Sequence, residues 1–185
     1  MNEEMWRCCD CGATLPMSLV SHARFNCCPM CGSLLPETVE YIDNYLRIIQ
    51  LVKPLSGAAS LMLKSECVAA VRDAVVTFES IVRGESGLPG LMGADLMAKA
   101  FTFTYDSPSD RITRRPRIQV NNLSNVTERN EQDGIRFLAM GLMQGIRNIY
   151  MHTQGTAKVY YCLQILTTTD LLLKQVLGWE SVASS

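Results

Sequence analysis

From Pro36 onward, apolar residues recur at spacings of three and four, the period of a helix packed on one side. PETVEYIDNYLRIIQLV predicts a first helix: Pro36 suits an opening turn, and Glu37 and Glu40 place acid near the positive end of the helix dipole. A second helix is expected from about Ser56 through ECVAAVRDAVVTFESIV to Gly84, with ESGLPG as the break. GADLMAKAFTF follows as a third. The fourth runs from about Val126 through EQDGIRFLAMGLMQGIRN into NIYMH, and KVYYCLQILTTTDLLLKQVL is the fifth, closing before Gly178. Between the third and fourth, SDRITRRPRIQV reads as a loop because of its Ser, Pro and Asn neighbours. No strand alternation, internal repeat or Gly-rich phosphate loop occurs in this part. Five helices with short connections predict an up-and-down bundle over residues 36–185, so the expected fold class is mostly α.

The fourth helix carries an unusual stripe. At about 100° per residue, Gly134, Gly141, Gly145, Asn148 and His152 fall within a sector of roughly 60°. The neighbouring sector holds Ile135, Leu138, Leu142, Ile146 and Ile149, the expected core face. A glycine inside a helix costs up to about 1 kcal/mol relative to alanine, so three on one stripe imply close packing of a partner. Either another helix of this chain or the same helix of a second copy fits. Arg147 would stand about 140° from His152 on a regular helix. A long side chain reaching around, an irregular turn, or action across a subunit boundary would each bring the two together.

With 185 residues, the chain is long enough for one domain with its own core plus a small module. A hydrophobic content of 48%, a formal charge of -1 and ten Met against only 7% aromatics fit a globular, helix-packed protein. The balance of charge argues against a general nucleic-acid coat, which needs clustered Lys and Arg over its surface. One local cluster stands out: Arg111, Arg114, Arg115 and Arg117, faced only by Asp110, form either a solvated loop or a phosphate-binding patch. The acidic, Cys-rich start has no signal-peptide pattern, and no run of about 18 apolar residues could span a bilayer, so a cytoplasmic protein without membrane contact is expected.

Six of the eight Cys lie in the first 31 residues. Cys8 and Cys11 make one C-x-x-C, Cys28 and Cys31 another, and Gly12 or Gly32 follows each pair. A glycine there lets the backbone turn tightly enough for both thiolates to face one ion. Four thiolates in two such knuckles predict a structural, tetrahedral Zn2+ in a small β ribbon over residues 1–35; disulfides are the competing reading, disfavoured where thiols stay reduced. Cys9, Cys27 and His22 neighbour this set. A closed four-sulfur site has no position left for an activated water, so the ion holds the fold and any catalysis belongs elsewhere. Cys67 and Cys162 lie in apolar helical runs and read as core.

Arg147-Asn148-Ile149-Tyr150-Met151-His152 resembles the Arg-to-His motif of HEPN domains. VRDAVVTFESIVRGESGL, GADLMAKAF and EQDGIRFLAMGLMQGIRN, in that order, are similar to the Ymh-type branch of those proteins, found in bacterial and phage defence; the likeness spans about Cys67 to Leu177. Ile149 stands where that branch often has Pro. The resemblance implies an all-α bundle that dimerises, two motifs meeting to form a metal-independent ribonuclease, with no cofactor for catalysis. In that chemistry the ribose 2′-hydroxyl attacks its own phosphate, so RNA is cut and DNA spared. It implies Arg147, Asn148 and His152 as catalytic residues; beside such a site the charge cluster Arg111, Arg114, Arg115 and Arg117 would, with the ribbon, help place RNA. It further implies a toxin-like effector in phage defence, partnered by an antitoxin or another defence-system protein. The alternative it leaves is a non-catalytic module that binds a protein or a nucleotide through the same fold, with the ribbon as interaction surface.

The residue types suit that chemistry independently. An imidazole titrates near neutral pH and can take or give a proton, and a guanidinium can hold two phosphate oxygens. With no second histidine outside the ribbon, a pair of imidazoles requires two chains. Asn148, a turn before His152, can orient the ring or bond the phosphate.

Overall fold

The computed structural model describes residues 5–7, 12–16, 34, 36–109, 111–152 and 158–178. Helices dominate. In chain order they are α1 (Pro36–Ile48), a 3-10 turn (Lys53–Leu55), α2 (Ser56–Leu63), α3 (Cys67–Ser86), α4 (Gly93–Phe101), α5 (Val126–Gly141), a π-helical segment (Leu142–Arg147), α6 (Asn148–His152) and α7 (Val159–Leu177). Two antiparallel hairpins complete the described residues: β1 (Met5–Arg7) with β2 (Thr14–Pro16), and β3 (Thr104–Asp106) with β4 (Arg111–Arg114).

The bundle is organised around α3. Ala70, Val71, Ala74, Val75, Phe78 and Val82 are almost completely buried, and α3 packs against α2, α4, the π segment, α6 and α7. Spaced at three and four residues, these side chains make one continuous stripe. Its C-terminus is closed by Gly87 at a φ of +63°, a left-handed cap that only glycine takes without cost. The Leu88 N–H returns to the Arg83 carbonyl.

The second expected helix is two. The chain breaks over residues 64–66, where Ser65 takes a φ of +68° and the Glu66 N–H turns back to the Leu61 carbonyl. No Gly or Pro marks the break. Tertiary packing forces it: α2 buries Ala58 and Met62 against α3, and one straight helix could not fold back on itself. The Ser65 hydroxyl accepts the N–H of Leu34, a buried residue just before α1, so this turn also anchors the end of the N-terminal module.

Of the Arg-rich segment, expected to be a loop, Arg111–Arg114 is strand β4, with Thr104 opposite Arg114 and Asp106 opposite Arg111, while Arg115 and Arg117 lie in the irregular stretch that follows. Ile112 is the hairpin's only aliphatic strand residue, so no apolar alternation announced it. Beyond the hairpin the chain is held by Gln132 of α5, which is fully buried. Its amide donates to the carbonyls of Phe101 and Ile118, both at 3.0 Å, and its oxygen accepts the Val120 N–H at 2.9 Å. Leucine at Gln132 keeps the volume and orphans all three groups, so a loss of about 1–3 kcal/mol of stability is expected in urea unfolding. At the start of α5, Asn125 caps the Glu128 N–H, and the backbone N–H of Ser124 holds the Glu128 carboxylate below the usual range.

A buried ion pair ties α7 to the segment after α1. Asp170 accepts from Lys174 Nζ at 2.7 Å and from the Val52 N–H at 2.8 Å, and Lys174 also donates to the Ile49 carbonyl. Both side chains are under a tenth exposed.

Of the N-terminal module, β1 and β2 flank the first C-x-x-C in sequence, and Gly12 takes a φ of +72°, a left-handed conformation that glycine adopts without cost. Cys8, Cys11, Cys28 and Cys31, with Cys9, Cys27 and His22, lie outside the described residues.

Candidate active site

The sequence expects an α-helix through Arg147 to His152; the structure inserts a π-helical segment over Leu142–Arg147. A π turn closes on i→i+5 bonds and takes in an extra residue, so it rotates the downstream residues by up to about 100° relative to a regular helix. Two expectations change as a result. Ile149, expected in the core, is 58% exposed, and Arg147 turns inward with a side chain only 24% exposed. Leu138, ahead of the π segment, is also exposed, so the core face of this helix is Ile135, Ala139, Leu142, Met143 and Tyr150. Ile146 is half-buried.

Arg147 meets Glu79 of α3, a residue not singled out from the sequence. Its Nε stands 3.2 Å from Glu79 Oε2, but out of line for a good hydrogen bond, so the contact is an ion pair first. Glu79 is 4% exposed. Its other oxygen accepts the Gly93 N–H at 2.5 Å and lies 3.5 Å from Arg83 Nη2. Gly93 begins α4 at a φ of +57°, so the carboxylate also sits at the positive end of that helix dipole. Arg83 in turn donates Nε to the Leu91 carbonyl. One buried carboxylate therefore binds α3, the turn into α4 and the motif. A sequence signal existed, an acid on the apolar stripe of α3 beside Phe78, where an unpaired charge would not be tolerated.

The motif's far end is held from α3 as well. Arg72 Nε donates to the Tyr150 carbonyl at 2.6 Å. The Tyr150 ring stacks on Tyr161 of α7 at 6.5 Å, and its hydroxyl reaches Cys162. Burial, and then the Cys162 thiol, push that hydroxyl up to about 12, in keeping with a core role for Tyr150. Cys67 is pushed up too, by its hydrogen bond to Cys162 and by burial, in keeping with a core role.

Asn148 and His152 point the other way, and both are exposed. Among the described residues, neither side chain is engaged in a hydrogen bond or ion pair. Arg147 and His152 thus stand at one helix end, one fixed inward and one turned outward, without a contact between them inside one chain. The π segment turns them off the line of the glycine stripe, which is itself uncovered: a Cβ added at Gly134, Gly141 or Gly145 would meet none of the described residues within 4 Å. No described helix of the same chain packs on this stripe. Phe137 and Leu138, 61% and 50% exposed, flank it, and Ile149 and Met151 extend the apolar surface past Asn148.

Arg111, Arg114, Arg115 and Arg117 are all exposed on and after β4, with Arg115 donating to Gln119. Their hairpin sits at the opposite end of α5, where Arg129 lies 4.1 Å over the Tyr105 ring. Arg129 to Arg147 spans roughly 27 Å at a helical rise of about 1.5 Å per residue, so the structure does not bring this cluster to the motif within one chain.

No described helix is long and apolar enough to cross a membrane. Among curated proteins nothing matches the chain, and no solved structure matches it either. A family model described as a protein of unknown function, Hypoth_Ymh, matches residues 55–176. That span runs from the 3-10 turn to the last turn of α7 and takes in Arg72, Glu79, the Arg-rich hairpin and the whole motif, and the chain accordingly belongs to the Hypoth_Ymh family.

Proposed function

We propose that the protein is a metal-independent endoribonuclease of the HEPN type, working as a homodimer and serving as a toxin-like effector in phage defence. The observation that carries this reading is the division of the motif: Arg147 is fixed on the buried Glu79, while Asn148 and His152 are exposed beside an uncovered glycine and apolar strip. A cation of set position and an accessible imidazole are what phosphate chemistry near neutral pH requires.

In the proposed reaction His152 of one copy takes the proton of a ribose 2′-hydroxyl as that oxygen bonds to the adjacent phosphorus. The P–O5′ bond breaks, and the His152 of a second copy protonates the leaving oxygen. The products are a 2′,3′-cyclic phosphate and a 5′-hydroxyl. Arg147 offsets the charge gathering on the phosphate oxygens, and Asn148 bonds the phosphate or the imidazole. The uncovered strip with Phe137 and Leu138 supports contact with a second copy, since surfaces of this kind mark association sites. The exposed arginines at 111, 114, 115 and 117 supply sequence-independent attraction for RNA. In this reading the ribbon holds a structural Zn2+ through Cys8, Cys11, Cys28 and Cys31 and presents a surface to RNA, an antitoxin or another defence protein. The Gly12 turn supports that site.

The test is incubation with labelled tRNA and mRNA in EDTA, beside His152→Ala, with analysis of the cut ends. Wild type is expected to leave cyclic phosphates, and the variant to be slower by at least about a hundredfold. Equal behaviour of the two would instead identify a non-catalytic module that binds a protein or nucleotide.

A further inference from the structure

The last four carbonyls of a helix have no partner within it, and Tyr150 belongs to the final turn of α6. Arg72 supplies one. Its guanidinium reaches from the middle of α3 to the Tyr150 carbonyl at 2.6 Å, across 78 residues of sequence, and brings positive charge to the negative end of the short helix.

Arg72 and Glu79 stand seven residues apart on α3, two turns along nearly the same face. Glu79 holds the motif at Arg147, and Arg72 holds it at Tyr150, two residues before His152. The π segment immediately ahead closes on i→i+5 bonds in place of the regular i→i+4 ladder. The two contacts from α3 therefore brace the last turn on the far side of an irregular stretch of its own helix.

We infer that Arg72 is a positioning residue, which holds the final turn of the motif helix and with it the His152 side chain in the orientation used for RNA cleavage. The part concerning cleavage rests on the nuclease reading above; the part concerning the turn does not. Arg72 acts through the backbone carbonyl, so a lysine, which keeps a charged donor on a flexible stem, should replace it in part, whereas methionine, of similar length but without a donor, should not.

The experiment compares wild type, Arg72→Met and Arg72→Lys by hydrogen-deuterium exchange and by RNA cleavage. Exchange in residues 148–152 should quicken at least about tenfold in Arg72→Met, return most of the way in Arg72→Lys, and remain unchanged in α7. The kcat for RNA should fall by about tenfold or more in Arg72→Met with KM little altered, and recover in Arg72→Lys. Unchanged exchange at 148–152 would overturn the inference, as would a uniform rise across α3 and α7, which marks general loosening. Local loosening with an unaltered kcat would overturn the cleavage role. A wild type silent toward RNA would count against the nuclease reading alone, because the exchange comparison still decides whether Arg72 holds the turn.

Discussion

Asp170→Ala should lower the unfolding free energy by about 3–5 kcal/mol, the usual cost of removing one partner from a buried ion pair. The reason lies in the groups left unpaired. Lys174, 6% exposed, would keep its charge in the interior without the carboxylate that balances it, and the Val52 N–H would lose its acceptor. Urea unfolding followed by circular dichroism measures the effect as a drop in midpoint at constant slope. The double variant Asp170→Leu with Lys174→Met separates the pair's own worth from the penalty of orphaning one charge, and it should be clearly less damaging than Asp170→Ala. If the single and double variants lost equal stability, the unpaired Lys174 charge would add no cost, and the loss would lie in the hydrogen bonds that both variants lack.

Glu79→Ala is expected to act on stability and on cleavage together. It leaves Arg147 Nε buried without its counter-ion, takes the acceptor from the Gly93 N–H and frees Arg83, for a loss of about 3 kcal/mol or more. Glu79→Gln is the informative companion: it keeps the volume and an oxygen for Gly93 but removes the charge that holds Arg147. Glu79→Gln should fold, melt between wild type and Glu79→Ala, and, on the nuclease reading, cut RNA at least about tenfold more slowly, because the guanidinium would no longer be held in place for the phosphate. Thermal melts beside single-turnover cleavage read both effects. A Glu79→Gln protein that cuts at the wild-type rate would show that the ion pair serves the fold only.

Much of the helical architecture was legible because burial leaves a periodic trace. α1, α4, α5 and α7 each follow an apolar spacing with recognisable ends, such as Pro36 at the start of α1 and Gly178 after α7. The break at Ser65 was not legible, since a serine in the left-handed region is imposed by α2 folding back on α3 and not by its own preference. The β3–β4 hairpin was hidden for a different reason: its strands are mostly polar and exposed, and arginines there carry no alternation. In the candidate site, the motif was readable as a string, but its geometry was not. An extra residue in a helical turn leaves no mark in composition, and from the string alone Arg147 and Ile149 fall on the wrong faces. Glu79 and Arg72 act over long sequence distances, where spacing rules say nothing.

The π segment Leu142–Arg147 gives the motif an unusual kind of sensitivity. A helix holding one surplus residue can be regularised by deleting one, with no change in the chemistry of any remaining side chain. Such a deletion would restore the ordinary ladder, tighten the helix, and swing Arg147 away from Glu79. Length, and not only residue identity, is therefore part of what this stretch encodes, and a variant one residue shorter here would keep the Arg, the Asn and the His while losing the ion pair to Glu79.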